Sequence, residues 1–169
     1  MSMTTTLATR SGIEIDVRPA TEDDIDILKT FFEGVSAEDR RFRFLAAAAH
    51  VSLDQIAPLV NADHFRTESW LGFDKEAGVL IASGLLACDG PLETGEIAIS
   101  VGSAYRNKGV GWAMLDFLAK QAQNRGCRRA ISIESRDNHA AIELEREKGF
   151  KPEPMEGDPT LVVLSKTFP

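Results

Sequence analysis

Between positions 95 and 111 the chain reads GEIAISVGSAYRNKGVG, and this stretch carries its clearest chemistry. Arg106, Gly109 and Gly111 form the pattern Arg-x-x-Gly-x-Gly, with Asn107, Lys108 and Val110 between them. If a helix opens at Val110, its first amides have no acceptor within the helix, and the helix dipole adds partial positive charge there. Glycines let an anion come close to the backbone, and Arg106 and Lys108 bring formal positive charge. The chemistry is that of a phosphate cradle. It is neither a Walker loop, which needs GxxxxGK followed by Ser or Thr, nor the GxGxxG of a dinucleotide fold. Glu96, upstream in the same stretch, is a carboxylate able to take a proton from an amine. It also reads as an ordinary solvated glutamate at the start of a strand.

The elements around this stretch follow from periodicity. Ile97, Ile99 and Val101 alternate with Glu96, Ala98 and Ser100, which predicts a strand with one apolar and one polar face. Gly102 to Lys108 reads as a turn, sharpest at Gly102. Met114, Leu115, Leu118 and Ala119 recur at helical spacing, so a helix is expected from Val110 to about Asn124, stopped by Gly126. Before this unit, 13–18 alternates as a first strand. Thr21, with Asp24 after it, caps a helix that ends at Gly34, and Ser36 starts a second helix through SAEDRRFRFL. The run Ala46 to His50 can continue that helix, Ser52 can cap another, and Pro58 shortens or kinks it. Strands are expected at 65–73 and 79–88, and the short DGPLETG connection implies antiparallel pairing with the strand at Glu96. After the helix, RRAISIE (128–134) returns parallel by a right-handed crossover. Asp137 or Asn138 caps a helix that ends at Gly149. A strand at Phe150, interrupted by Pro152 and Pro154, pairs with a last strand at 160–168. The predicted class is α/β: a mixed, mostly antiparallel sheet with helices on both faces and a parallel pair that splays into a ligand crevice.

With 169 residues and 43% apolar composition, the chain is long enough for one domain, expected over 13–169, behind a flexible polar tail at 1–12. No run of 18 apolar residues is present, and the N-terminus lacks an apolar signal-peptide core, so a cytoplasmic protein with no membrane association is expected. The net charge of -7 argues against nucleic-acid binding and permits a cationic substrate such as an amine. Cys88 and Cys127 are expected to be free and buried. His50, His64 and His139 match no metal-ligand spacing, so no metal is expected.

The loop pattern resembles the acyl-CoA pyrophosphate loop of the GNAT N-acyltransferase superfamily, Gln/Arg-x-x-Gly-x-Gly/Ala, and the order of elements resembles the GNAT fold from Ile15 onward. The stretch from Asn138 to Phe150 is similar to the family segment Asn-x-x-Ala-x-x-Leu-Tyr-x-x-x-Gly-Phe, which contacts the pantetheine arm. The segment VRPATEDDIDILKTFFEGVSAEDRRFRF is similar to the start of the acetyltransferase domain in bacterial Pat-type protein lysine acetyltransferases, through Ser36, Glu38-Asp39 and Arg43-Phe44. The resemblance implies acetyl-CoA as cosubstrate. It implies cofactor contacts at Ile99, Val101, Arg106, Asn107, Lys108, Gly109, Val110, Gly111, Asn138 and Ala141. It implies Glu96 as general base and the Val101 amide as donor to the thioester carbonyl; the second helix, with Glu38, Asp39 and Arg43, reads either as an amphipathic helix with a solvated face or as a wall of the acceptor site, whose acids could attract a substrate lysine. One position departs from the family pattern: Glu145 stands where many members carry a tyrosine general acid, which leaves that role unassigned.

The expected activity is direct acetyl transfer to a primary amine. The favoured acceptor is an exposed lysine of a protein. The alternatives are a small amine (a polyamine, amino acid or aminoglycoside) or a non-catalytic acyl-CoA sensor. The chain is expected to be a monomer or a homodimer, the latter by pairing of its C-terminal hairpin.

Overall fold

The structure, a computed structural model, describes residues 4–44 and 53–169. The expected helix continuation at 46–50 and the Ser52 cap lie outside the described residues. Eight strands form one sheet in the order β1-β2-β3-β4-β5-β6-β8-β7. They are β1 (Thr5–Ala8), β2 (Glu14–Pro19), β3 (Thr67–Asp74), β4 (Leu80–Cys88), β5 (Thr94–Val101), β6 (Arg129–Ser135), β7 (Lys151–Pro154) and β8 (Leu161–Thr167). The helices are α1 (Ile25–Glu33), α2 (Ala37–Phe44), α3 (Leu53–Val60, with Pro58 inside it), α4 (Val110–Asn124) and α5 (His139–Glu147). All neighbouring strands pair antiparallel except β5 and β6. Among the described residues no helix is long and apolar enough to cross a membrane.

One expectation is corrected at the start of the chain. Of the expected tail at 1–12, Thr5–Ala8 is not free: it pairs with β2 in register from Thr5–Val17 to Ala8–Glu14. The connecting turn is closed by Gly12 at φ 91°, and the Thr9 hydroxyl donates to the Ile13 carbonyl at 2.8 Å. Backbone pairing, rather than an apolar face, makes this strand.

Local chemistry fixes the helix starts. The Thr21 N–H donates to Asp24 Oδ2 at 2.8 Å, and Arg18 clasps the same carboxylate through Nη1 and Nη2 at 2.9 and 2.8 Å. The guanidinium and these hydrogen bonds hold Asp24 below the usual carboxylate range. Ser36 Oγ accepts from the Asp39 N–H at 3.1 Å, so Ser36 caps α2 as its spacing predicted. Arg40 then ties α2 back to the end of α1 by donating to the Phe32 and Val35 carbonyls.

Two cores cover the two faces of the sheet. On one, Leu28, Phe31 and Phe32 of α1 pack with Ile56, Leu59 and Val60 of α3 and with Leu71. On the other, Met114, Leu115 and Leu118 of α4 pack with Ile15, Ile81, Leu86 and Ile97. Gly84 lets α4 lie close: a Cβ there would stand 2.8 Å from Leu118 Cδ1 and 3.2 Å from Met114 Cε. Gly84→Ala is therefore expected to destabilise the fold by about 1–3 kcal/mol through overpacking. Urea unfolding checks this, and an unmoved midpoint would show that α4 can shift at no cost.

Two features of the sheet matter below. First, the parallel ladder between β5 and β6 runs only from Thr94–Arg129 to Glu96–Ile131, although both strands continue beyond it. The central strands therefore splay. Second, β7 continues through Pro152 and Pro154, where an interruption was expected. It is an edge strand, and a proline there can turn its ring nitrogen outward without costing the ladder a donor. Cys88 and Cys127 are both free, with Sγ atoms 3.6 Å apart; Cys127 is buried and Cys88 only half-buried.

Candidate active site

The alternation of hydrogen bonds along β5 shapes the crevice. The Asp89 N–H donates to the Thr94 carbonyl and the Gly102 N–H to the Ile81 carbonyl, each at 2.9 Å. With the register of β4 on β5, the even-numbered residues of β5 exchange bonds with β4. The odd-numbered residues therefore turn their amides toward β6. The β6 ladder stops at Glu96–Ile131, so the amides of Ile99 and Val101 face the gap. Gly102 does not make the sharp turn expected of it; it is extended, at φ -60° and ψ 141°, and spends its amide on β4.

The chain reverses further on. A short 3-10 turn at Ser103–Tyr105 is pinned from both ends: the Ser103 N–H and Oγ donate to the Gly34 carbonyl at 3.0 and 2.8 Å, and the Tyr105 hydroxyl donates to Asp74 Oδ2 at 2.9 Å. Asn107 (φ 60°) and Gly109 (φ 81°) then take the left-handed conformation that delivers the chain to α4. The N-terminal hairpin buttresses this loop. Ser11 Oγ donates to the Lys108 carbonyl at 2.6 Å, and a Cβ on Gly109 would stand 3.2 Å from Arg10 Cγ. The Arg10 guanidinium lies over the Trp112 ring at 4.4 Å from its centroid, with Lys148 Nζ 3.6 Å from the same centroid.

A cavity of about 310 Å³ runs from this loop into the splay between β5 and β6. Arg106, Asn107, Gly109, Val110 and Gly111 line its loop end, and Ile99, Val101, Asn138 and Ala141 line the crevice. Lys108 does not line it. Of the residues expected at an acceptor site, Asp39 and Arg43 line the cavity, and Glu38 is exposed outside it. Asp39 Oδ2 lies 3.5 Å from Arg106 Nε, so this acid partly neutralises the loop cation. Glu96 is exposed and does not line the cavity, whose lining on β5 begins at the next residue, Ile97. Burial pushes the Arg43 guanidinium below its ordinary value, opposed by the charges of Glu96 and Glu134, so Arg43 lies within electrostatic reach of both carboxylates. Asn138 caps α5 by accepting from the Ala141 N–H at 3.3 Å, and its Nδ2 donates to Glu134 Oε2 at 3.3 Å.

An acetyltransferase family model, described as the Acetyltransferase (GNAT) family, matches residues 32–150. The chain belongs to the GNAT family. GNAT enzymes use acetyl-CoA or another acyl-CoA, and this site suits one: left-handed backbone and cations at the helix start, a crevice of open strand amides, and a cavity joining them. The chain is 25% identical over 154 residues to Acetyltransferase PA5475 of Pseudomonas aeruginosa, covering 90% of this chain and 83% of that protein. Its fold resembles the crystal structure of the GNAT domain of S. lividans PAT, with TM-score 0.89, 24% identity, and coverage of 98% of this chain and 97% of that one. It also resembles a cAMP-binding acyltransferase from Mycobacterium smegmatis (TM-score 0.65, 18% identity), covering 99% of this chain and 48% of that one.

Within this GNAT site two charged contributors were not legible as site residues: Arg10, brought in by the hairpin, and Glu134, on β6; Glu145 on α5, noted in the sequence only as a departure from the family pattern, lines the cavity as well. The Arg106–Asp39 pair also bears on cofactor binding. A phosphate approaching Arg106 would compete with Asp39 for it, and the pair is partly exposed, so its strength is about 1 kcal/mol or less. Asp39→Asn is expected to tighten CoA binding by up to about fivefold, measured calorimetrically. A weakened affinity would mean that Asp39 instead holds Arg106 in its binding pose.

Proposed function

We infer that this GNAT enzyme transfers acetyl from acetyl-CoA directly to a primary amine, and that the amine is the side chain of a protein lysine. The observation that carries the reading is an exposed carboxylate, Glu96, on the strand whose outer amides open into the crevice. Acetyl-CoA supplies a thioester carbon open to attack. The loop amides, Arg106 and Arg10 bind its phosphates, and Asn138 and Ala141 lie along its arm. The Val101 N–H donates to the thioester carbonyl oxygen as charge gathers there.

A lysine ammonium has a pKa near 10.4, so it must lose a proton before it attacks. Glu96 takes that proton, directly or through one water. Its exposure outside the cavity lining favours an acceptor presented on the surface of another protein over a small molecule drawn inside. The resemblance of the α1–α2 segment to Pat-type domains favours the same acceptor. The net charge of -7 attracts a cationic group of either kind.

The test is to incubate the pure protein with acetyl-CoA and a bacterial protein extract and to map acetylated lysines by mass spectrometry. Discrete sites that require the wild-type protein, and that a Glu96→Gln control does not give, are the expected result. Acetylation no higher than the non-enzymatic background, with turnover on a panel of polyamines, amino acids or aminoglycosides, would replace the lysine reading with a small-amine one.

A further inference from the structure

Cys88 and Cys127 are 39 positions apart in the chain, yet their side chains meet, with Cys127 Sγ 3.6 Å from Cys88 Sγ. The fold holds both backbones in place. Cys88 ends β4 opposite Gly95 of β5, and its N–H donates to the Arg66 carbonyl at 2.7 Å. Cys127 lies between α4 and β6, and its N–H donates to the Ala122 carbonyl at 3.1 Å. The next two N–H groups, of Arg128 and Arg129, donate to the Glu93 carbonyl at 2.8 and 3.1 Å. Directly opposed residues of an antiparallel pair share one face, so Cys88 and Gly95 both face α4, as Gly84 and Leu86 of β4 do. Gly95 leaves the space in which the sulfurs meet. A Cβ on it would stand 3.2 Å from Ala122 Cβ and 3.6 Å from Cys127 Sγ.

We propose that Cys88 and Cys127 are the site of a reversible intramolecular disulfide, which closes β5, the loop at 102–109 and α4 into one covalent ring. The proposal holds whatever amine the enzyme acetylates. A disulfide bond is about 2.05 Å long, so the sulfurs must approach by about 1.5 Å, and each cysteine has a side-chain torsion to supply the movement. Holding two thiols in contact raises their effective concentration, which favours the internal disulfide over a mixed one.

The oxidant is a low-molecular-weight disulfide. Cys88 is half-buried and Cys127 buried, so the oxidant meets Cys88 first. Cys88 loses its proton to solvent, and its sulfur attacks one sulfur of the oxidant. The oxidant's sulfur–sulfur bond breaks, and the other half departs with the electron pair and takes up a proton as a thiol. Cys127 then loses its proton, attacks Cys88 Sγ and releases the second half as a thiol in the same way. The two protein thiols are oxidised, giving up two electrons and two protons, and the small disulfide is reduced to two thiols. Excess small thiol reverses both steps. Burial, then the hydrogen bond from Cys127, pushes the Cys88 thiol up to about 12. Only a thiolate attacks, so the first step is slow at neutral pH and quickens as the pH rises.

The link has a structural consequence. It ties the end of β4 to the start of β6 across β5, beside the Thr94–Arg129 rung, where the crevice is already closed. A cross-link that encloses about forty residues restricts the unfolded chain, so the linked fold resists heat better than the reduced one.

The test incubates the reduced, folded protein with oxidised glutathione at mildly alkaline pH, with urea-denatured protein as the control for exchange. Remaining thiols are blocked with N-ethylmaleimide and the peptides mapped by mass spectrometry. Both thiols are expected to disappear together, giving a peptide that joins Cys88 to Cys127 and a monomer on a non-reducing gel. Dithiothreitol should restore both thiols. The linked protein is expected to melt about 5–10 °C above the reduced one. C127S, treated in the same way, should retain glutathione on Cys88 and show no such rise. Any of four results would overturn the proposal: both thiols intact in the folded wild type while the denatured control reacts, glutathione retained on wild-type Cys88, a disulfide between two chains, or a linked protein that melts no higher than the reduced one. The mapping and the melting comparison need only the wild type, so they decide the matter even where C127S does not fold.

Discussion

Glu96→Gln is expected to lower kcat by about 10²–10⁴-fold at neutral pH while leaving CoA affinity within a factor of two. Gln keeps the size and polarity of the side chain but cannot hold the amine's proton. Glu96 sits in the last rung of the β5–β6 ladder, exposed, and outside the lining of the cavity proposed to take the acyl-CoA. Its loss should therefore reach the acceptor's proton and not the donor's binding. A second signature separates a base from a bystander. Raising the pH deprotonates the acceptor amine without help, so for a lysine acceptor the gap between wild type and variant should narrow as pH approaches about 10. A variant with the wild-type rate and pH profile would remove Glu96 from the mechanism. A variant with unchanged kcat and raised KM for the amine would make it a docking group for the ammonium.

Gly109→Val is expected to weaken CoA binding by at least about tenfold, a loss of about 1.4 kcal/mol. Gly109 holds φ 81°, immediately before the first turn of α4. A β-branched residue in that region is strained by roughly 1–2 kcal/mol. Its Cβ would also press on Arg10 Cγ at 3.2 Å. The loop can relieve both only by turning its amides away from the anion and displacing the hairpin that carries Arg10. Calorimetric titration with CoA checks the affinity, and circular dichroism checks that α4 persists. Unchanged affinity in a folded variant would mean that the phosphates bind elsewhere.

How far the sequence could be read depended on where the cause of each element lay. The α4 helix was legible at both ends, expected from Val110 to about Asn124, because its apolar spacing and the glycine after Arg125 are local signals. The Ser36 cap was legible for the same reason, and of the two candidates for the start of α5, Asp137 and Asn138, it is Asn138 that makes the cap. The splay was legible only as a topological expectation; which amides it opens depends on bond alternation against β4, and no sequence pattern states that. Gly102 shows the limit of a local rule. A glycine after a strand reads as a turn, yet here the Ile81 carbonyl keeps it extended, and an asparagine and a glycine further on make the reversal. The first strand was missed because its inward burial is slight, with only Leu7 half-buried. The threonines before a Ser-Gly turn, followed by alternating residues, were the hairpin signal available. Glu145 lies on the inner face of a helix whose pattern marks that face with Ile142 and Leu144, and a charged letter there was read as a departure from a motif instead of a buried group.

The prolines of β7 bear on how copies of this protein can meet. Pro152 and Pro154 are in register with Leu164 and Val162, and the bonds of that ladder must come from Lys151 and Glu153. The free margin of the sheet on that side thus offers carbonyls at Pro152 and Pro154 but no amide hydrogens. A second chain laid along it would find acceptors without donors, which is how natural sheets discourage edge-to-edge growth. The C-terminal hairpin, the expected route to a homodimer, is accordingly the poorer margin for strand addition. The other margin is Thr5–Ala8, which contains no proline and runs straight into the turn bearing Arg10. Any assembly that extends the sheet there would brace the hairpin that touches the Arg106–Gly109 loop, and would tie quaternary state to the proposed grip on the acyl donor.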